Sequence, residues 1–198
     1  MRPERGGTRP LARAVAHVNQ SAMSQRPDIM VRPCFQQDLA QVQVLYATHV
    51  TTGAGTFEIE APNLAEVTRR WTRIVDNGWP FLVASPLRDV SRVFGYAYAQ
   101  PFRERAAYAK TFEDSVYVAP GQQGLGIGDS LLATLLLGLE ADGVREVVAV
   151  IGDSQNGASI RLHEKQGFRH CGKLLKVGHK FGRWLDVVMM QRSLNPDQ

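Results

Sequence analysis

Val116-Tyr117-Val118 runs into Pro120, then through Gln122-Gln123-Gly124-Leu125-Gly126-Ile127-Gly128 into a segment with Ile127, Leu131, Leu135 and Leu139 on one helical face. A strand that turns through glycines into an amphipathic helix is the first part of a strand–helix–strand unit, and few architectures accept it. The next strand follows at once. Val147-Val148-Ala149-Val150-Ile151 is continuously apolar, which predicts burial on both faces and parallel pairing.

Glycines let the backbone approach a ligand closely and adopt positive φ. The first N–H groups of the helix have no partner within it, and the helix dipole favours an anion there. The turn therefore suits a phosphate or pyrophosphate. A nucleoside-triphosphate loop would need Lys-Ser or Lys-Thr after its last glycine, but Ile127-Gly128 follows Gly126. A dinucleotide fingerprint needs G-x-G-x-x-G, whereas the spacing here is G-x-G-x-G and antiparallel strands precede it. A tight turn with no ligand is the plain alternative.

The remaining periodicities complete the layout. Residues 28–34, with Ile29, Met30 and Val31, read as a short edge strand. Leu39, Val42, Leu45, Tyr46 and His49 have helical spacing across 35–50. A glycine-containing loop fills 51–62, and a second helix spans about 64–76, with Asn63 as N-cap and Gly78 past its end. Residues 81–85 and 93–100 form an antiparallel hairpin, and 111–119 a third strand. A helix over 156–166 ends at Gly167, and two strands, about 173–180 and 184–191, close the chain. The order β α α β β β α β α β β is a mixed α/β layer fold.

Charge excludes one class of function. Residues 1–27 carry five arginines against one glutamate, while residues 28–198 carry 18 basic and 18 acidic side chains. The folded part has no positive excess with which to hold a nucleic-acid backbone. Residues 1–27 are expected to be a disordered basic extension, with translation starting instead at Met23 or, less simply, with a short amphipathic targeting helix. The domain is expected over 28–193 and a tail over 194–198. Two cysteines, Cys34 and Cys171, make no disulfide framework, so a reducing, cytoplasmic setting is expected. No apolar run is long enough for a bilayer, so no membrane partner is expected. His163, His170, Cys171 and His179 match no metal-ligand spacing, and no metal is expected.

Gln123-x-x-Gly126-x-Gly128 after Val-x-Pro resembles the acyl-CoA loop of the GNAT superfamily of N-acetyltransferases. Asn156-Gly157-Ala158-Ser159-Ile160-Arg161-Leu162-His163 through Gly167-Phe168 resembles that superfamily's next helix, about 30 residues on. More narrowly, Thr56-Phe57-Glu58, Gly95-Tyr96-Ala97-Tyr98, Thr111-Phe112-Glu113-Asp114-Ser115-Val116-Tyr117-Val118 and Leu162-His163 resemble the phosphinothricin and methionine sulfoximine acetyltransferase family. Where that family tends to carry Trp-Arg or Trp-Lys, this chain has Phe102-Arg103. The resemblance covers about residues 29–192. It implies a mostly antiparallel sheet splayed between two parallel strands and flanked by about four helices.

It also implies chemistry. Acetyl-CoA would be the co-substrate, its pyrophosphate held by Gln123, Gly124, Leu125, Gly126, Ile127, Gly128 and Asp129. The main chain of Val116, Tyr117 and Val118 would supply oxyanion and pantetheine contacts, although these side chains also simply alternate into a core. Glu113 would be the base for the attacking ammonium, or its anchor; a strand-end glutamate at the surface is the plain alternative. Asn156 would contact the pantetheine arm, cap its own helix, or both. His163 would protonate the leaving thiolate in place of the superfamily's tyrosine, or only pack. Arg103 and Arg105 suit a carboxylate or phosphinate, with Phe57 and Phe102 as pocket walls.

The expected activity is acetyl transfer to the α-amino group of a small amino acid or glutamate-like analogue, by a homodimer. Acetylation of a protein N-terminus or a polyamine is the alternative enzyme. A silent acyl-CoA-binding module, which would keep the loop but need no base, is the alternative from another class.

Overall fold

The computed structural model describes residues 28–194. Strand β1 (Ile29–Pro33) leads through a 3-10 turn (Gln36–Asp38) into α1 (Leu39–Thr52), which buries Leu39, Val42, Leu45, Tyr46 and Val50. Helix α2 (Leu64–Asp76) begins where the Asn63 side chain accepts the Glu66 N–H at 2.9 Å. Strands β2 (Phe81–Pro86), β3 (Gly95–Pro101) and β4 (Thr111–Val118) form an antiparallel meander. Then come α3 (Ile127–Ala141), β5 (Glu146–Gly152), α4 (Gly157–Lys165) and the long hairpin of β6 (Arg169–Lys180) and β7 (Arg183–Ser193). The final hairpin is longer than its apolar residues suggest, because β6 is an exposed edge with little hydrophobic signal.

The seven strands lie in the order β1-β2-β3-β4-β5-β7-β6. Only β4 and β5 are parallel, joined across α3. Alternation divides each central strand between two cores. Ala97, Ala99 and Phe112 join α3 residues Leu131, Leu135 and Leu139 on one face. On the other, Phe81 and Tyr96 pack with the buried residues of α1 and α2, and the rings of Tyr96 and Tyr117 stack at 5.0 Å.

The expected extension and tail lie largely outside the described residues. Leu194, at the boundary, packs into the α3 core and its N–H donates to Arg145 O at 2.8 Å. No helix among the described residues is long and apolar enough to cross a membrane.

One break in the sheet organises the rest. The β4–β5 ladder runs from Thr111↔Glu146 to Asp114↔Ala149 and stops. Beyond it β4 continues on β3 as far as Val118↔Gly95, and β5 continues on β7 as far as Gly152↔Val187. The two strands part while each keeps its outer neighbour. The continuous apolar run of β5 therefore does not mean continuous burial: Val150, just past the last shared rung, is 38% exposed.

Candidate active site

A cleft of about 590 Å³ opens where β4 and β5 separate. Its walls are Ser115 to Val118, the α1–α2 loop at Gly53 to Thr56, the turn from Gln122 to Asp129, and the start of α4 from Asn156 to His163.

The glycine turn is built for close backbone approach. Gly124 and Gly126 have φ of 77° and 82°, where an L side chain is strained. Gly126 is also the N-cap of α3, and no side chain caps it. The N–H groups of Ile127 and Gly128, at the start of α3, thus have no capping side chain, which suits an anion. A Cβ on Gly128 would lie 3.3 Å from Leu162, so the turn also packs directly on α4. Gln123 Oε1 accepts the Gly121 N–H at 2.8 Å and shapes the turn from within. Leu125 packs against the α3 core, and Ile127 is buried in it. Asp129 lines the cleft and ties α3 to α4 by accepting from Lys165 Nζ at 2.6 Å and Gln166 Nε2 at 2.7 Å. The uncapped helix start and the open space at Gly124 fit a pyrophosphate.

Asn156 caps α4, its Oδ1 accepting the Ser159 N–H at 3.3 Å, and its amide nitrogen sits against Gly55 across the cleft. His163 lines the cleft but is buried, and both ring nitrogens have partners. Nδ1 lies 2.8 Å from Ser159 O, and Nε2 lies 3.0 Å from Asp114 Oδ2. Burial works against a charged imidazole, but the Asp114 hydrogen bond and charge and the Ser159 carbonyl outweigh it. His163 titrates above its ordinary range.

Glu113 lies next to Asp114 on β4 and alternates to the opposite face, in register with Gln100 and Val148. It is half-buried and does not line the cleft. Burial raises its proton affinity, the Arg103 charge lowers it, and Asp114 raises it again; the net shift is upward. Arg103 stacks on Phe102 at 4.0 Å and donates to Phe102 O at 2.8 Å. Both line a separate open groove with Arg105, Tyr108 and Gln100. Phe57 does not line the cleft but borders it, its ring wedged between Gly152 at the end of β5 and the β6–β7 hairpin, where a Cβ on Gly178 would fall 2.2 Å away. Within one chain, then, the loop residues, Asn156 and His163 are brought together with Phe57 at the rim, while Phe102 and Arg103 stand apart.

Three residues that contribute here carry little signal in the sequence. Asp114 is a charged residue between Phe112 and Val116 on the buried face of a central strand, and that position is its only trace. His49, read as one of the apolar positions of α1, holds Val118 O at 2.9 Å through Nε2. Lys180 is buried and donates to Gly53 O at 2.9 Å and Thr56 O at 2.8 Å, which fastens the α1–α2 loop to the hairpin.

The sheet break, glycine turn and capped α4 are the features of one superfamily, and the chain belongs to it: residues 49–168 match the acetyltransferase (GNAT) family model. It is therefore an acetyltransferase, and the acyl donor of this family is acetyl-CoA. It is 46% identical over 165 residues to a phosphinothricin N-acetyltransferase of Alcaligenes faecalis, covering 83% of this chain and 82% of that one. It is 36% identical over 166 residues to an L-methionine sulfoximine/L-methionine sulfone acetyltransferase of Pseudomonas aeruginosa, covering 84% and 95%. Among solved structures, a phosphinothricin acetyltransferase from Sinorhizobium meliloti in complex with AcCoA superposes with a TM-score of 0.80 at 39% identity, covering 84% of this chain and 88% of that one.

Proposed function

We propose that this chain acetylates the α-amino group of a glutamate-like amino acid or analogue, of the kind named for its phosphinothricin and methionine sulfoximine relatives. The observation that carries the reading is Glu113. It is a half-buried carboxylate with raised proton affinity, one residue from the sheet break and within the field of Arg103. A base works best when its pKa is drawn toward the working pH.

Bound acetyl-CoA supplies an acetyl group activated as a thioester. The turn from Gln123 to Gly128 and the start of α3 hold its pyrophosphate, and Asn156 and the edge of β4 from Val116 to Val118, beyond its last rung with β5, take the pantetheine arm. Glu113 removes a proton from the substrate ammonium, and His163 takes the packing role, since Ser159 O and Asp114 Oδ2 hold both of its ring nitrogens inside the fold. Arg103, stacked on Phe102 and near enough to act on Glu113, selects a carboxylate- or phosphinate-bearing amine, which disfavours a polyamine.

The unit is a homodimer in this reading. Leu174, Leu175, Val177, Phe181 and Trp184 are all exposed on the β6–β7 hairpin, with Trp184 at 63%, and so many exposed apolar side chains on one element favour a partner. Acetyl-CoA consumption tests the substrate. Turnover with phosphinothricin, methionine sulfoximine or methionine sulfone is expected. Turnover only with spermidine or a peptide N-terminus would overturn the reading, and none with any amine would favour a silent binding module.

A further inference from the structure

Helix α2 turns three arginines, Arg69, Arg70 and Arg73, into one pocket, and they are not equivalent. The pocket, of about 340 Å³, lies between α2 and the strands β2 and β3, with the stacked rings of Phe81 and Tyr98 in its wall. Arg69 holds Glu66 at 2.7 Å, and Arg70 holds Glu58 at 2.6 Å and Glu66 at 2.7 Å. Arg73 holds no carboxylate among the described residues. A terminal nitrogen of its guanidinium donates to Gln100 Oε1 at 2.7 Å. A guanidinium has five N–H donors, so most of this one is left for a ligand.

Arg73 and Gln100 also line the open groove of about 1060 Å³ that holds Arg103 and Arg105. Pocket and groove therefore meet at this hydrogen bond. Gln100 stands directly opposite Glu113 on the antiparallel pair β3 and β4, which puts their Cβ atoms on one face about 4.5–5.5 Å apart. Arg103 comes to the same carboxylate from the groove, near enough for its charge to act on it. Among the described residues the groove sets Arg73, Arg103 and Arg105 against Glu104 alone.

These charges mirror those of one class of amine. An α-amino acid with an acidic side chain brings one ammonium and two anions. Glu113 faces the ammonium, and an arginine stands on either side of it for the anions. An amino acid with an uncharged side chain leaves one of those arginines without a partner.

We propose that Arg73 is a specificity-determining residue of the amine site: it takes the side-chain acid of the substrate, so that the chain prefers amino acids with an anionic side chain, phosphinothricin among them, to uncharged ones such as methionine sulfone. The proposal rests on the reading of Glu113 and Arg103 given above, with Arg103 on the α-carboxylate. A guanidinium meets a carboxylate or phosphinate with two parallel N–H donors, and a sulfone has no net charge to add to such a contact. Gln100 holds the Arg73 guanidinium toward Glu113 before the substrate arrives.

The test compares two amines on the full chain. With acetyl-CoA, the wild type should have a kcat/KM for phosphinothricin about tenfold or more above that for methionine sulfone. R73M should reduce this ratio about tenfold or more, through a higher KM for phosphinothricin, because the lost contact binds ground state and transition state alike. R73K keeps the charge but not the paired donors and should fall between. The ratio on one preparation does not depend on how much of it is folded, so a merely structural effect of R73M would lower both rates together and leave the ratio unmoved. A second readout needs no turnover. With CoA in place of acetyl-CoA, calorimetry should show phosphinothricin binding to R73M about tenfold or more weakly than to the wild type.

A ratio that R73M leaves within about threefold of wild type would overturn the proposal. So would a wild type that does not favour phosphinothricin. In either case turnover of the two amines would leave the glutamate-like reading standing, and only the role of Arg73 would be lost. A wild type that acetylates neither amine would remove that reading and the proposal with it.

Discussion

Asp114 faces Ala149 in the last rung that β4 and β5 share, and from Ser115 onward the two strands bond only to their outer neighbours. That one relationship places three things within a residue or two of each other. It opens the cleft, sets Asp114 against His163, and leaves Glu113 on the far side of the same strand.

Replacing Glu113 with glutamine keeps the shape and removes the proton acceptor. Turnover should fall by about 10²-fold or more. The acid limb of the wild-type rate profile should lie above the ordinary glutamate range, because burial raises this carboxyl, and the variant should lack that limb. Acetyl-CoA affinity should barely move, since Glu113 does not line the cleft. A rise in amine KM with kcat spared would identify an ammonium anchor rather than a base.

Gly126→Val puts a β-branched residue at φ 82°. The strain should cost about 1–3 kcal/mol, seen as a lower melting temperature. The larger effect should be on ligand binding. Acetyl-CoA at about 100 times its Kd should stabilise the wild type by about 2.7 kcal/mol and the variant hardly at all. Equal stabilisation of both would show that the turn is only a turn.

The pH dependence of stability should report His163. Its folded-state pKa lies above the unfolded value of 6.5. The stabilisation it provides is then complete below that value and is lost as pH rises through the folded-state pKa. Urea denaturation from mildly acidic to alkaline pH should show this decline in the wild type, and H163Q should flatten it.

Lys180→Met should unfasten the α1–α2 loop. It removes both donors from Gly53 O and Thr56 O at a buried position. Unsatisfied buried groups cost about 1–3 kcal/mol each, so a loss of roughly 2 kcal/mol or more is expected in urea denaturation. Because the loop forms one wall of the cleft and leads into Phe57, KM values should rise more than kcat falls.

The order of helices and strands was legible because each segment repeats its apolar residues at the period of its own geometry: Leu131, Leu135 and Leu139 on α3, for example, all end in one core. Gly126 was legible for a similar local reason, since positive φ before a helix falls to glycine. Asn63 and Asn156 as caps, and Gly167 as a helix stop, are likewise contacts within a few residues along the chain.

Contacts across long stretches of chain left no comparable mark. Asp114 and His163 are 49 residues apart, and Lys180 lies 124 residues from Thr56. A period shows which way a side chain points, but its partner depends on which strands become neighbours and at what register. Even Val150 shows the limit. Its apolar neighbours imply a buried strand, yet it is exposed because the parallel ladder ends one rung earlier. The chain's local chemistry set the layers, the turn and the family likeness. The charge state of His163, the face of Glu113 and the separation of Arg103 from the cleft came only with folding, because burial and electrostatic coupling are properties of neighbours in space.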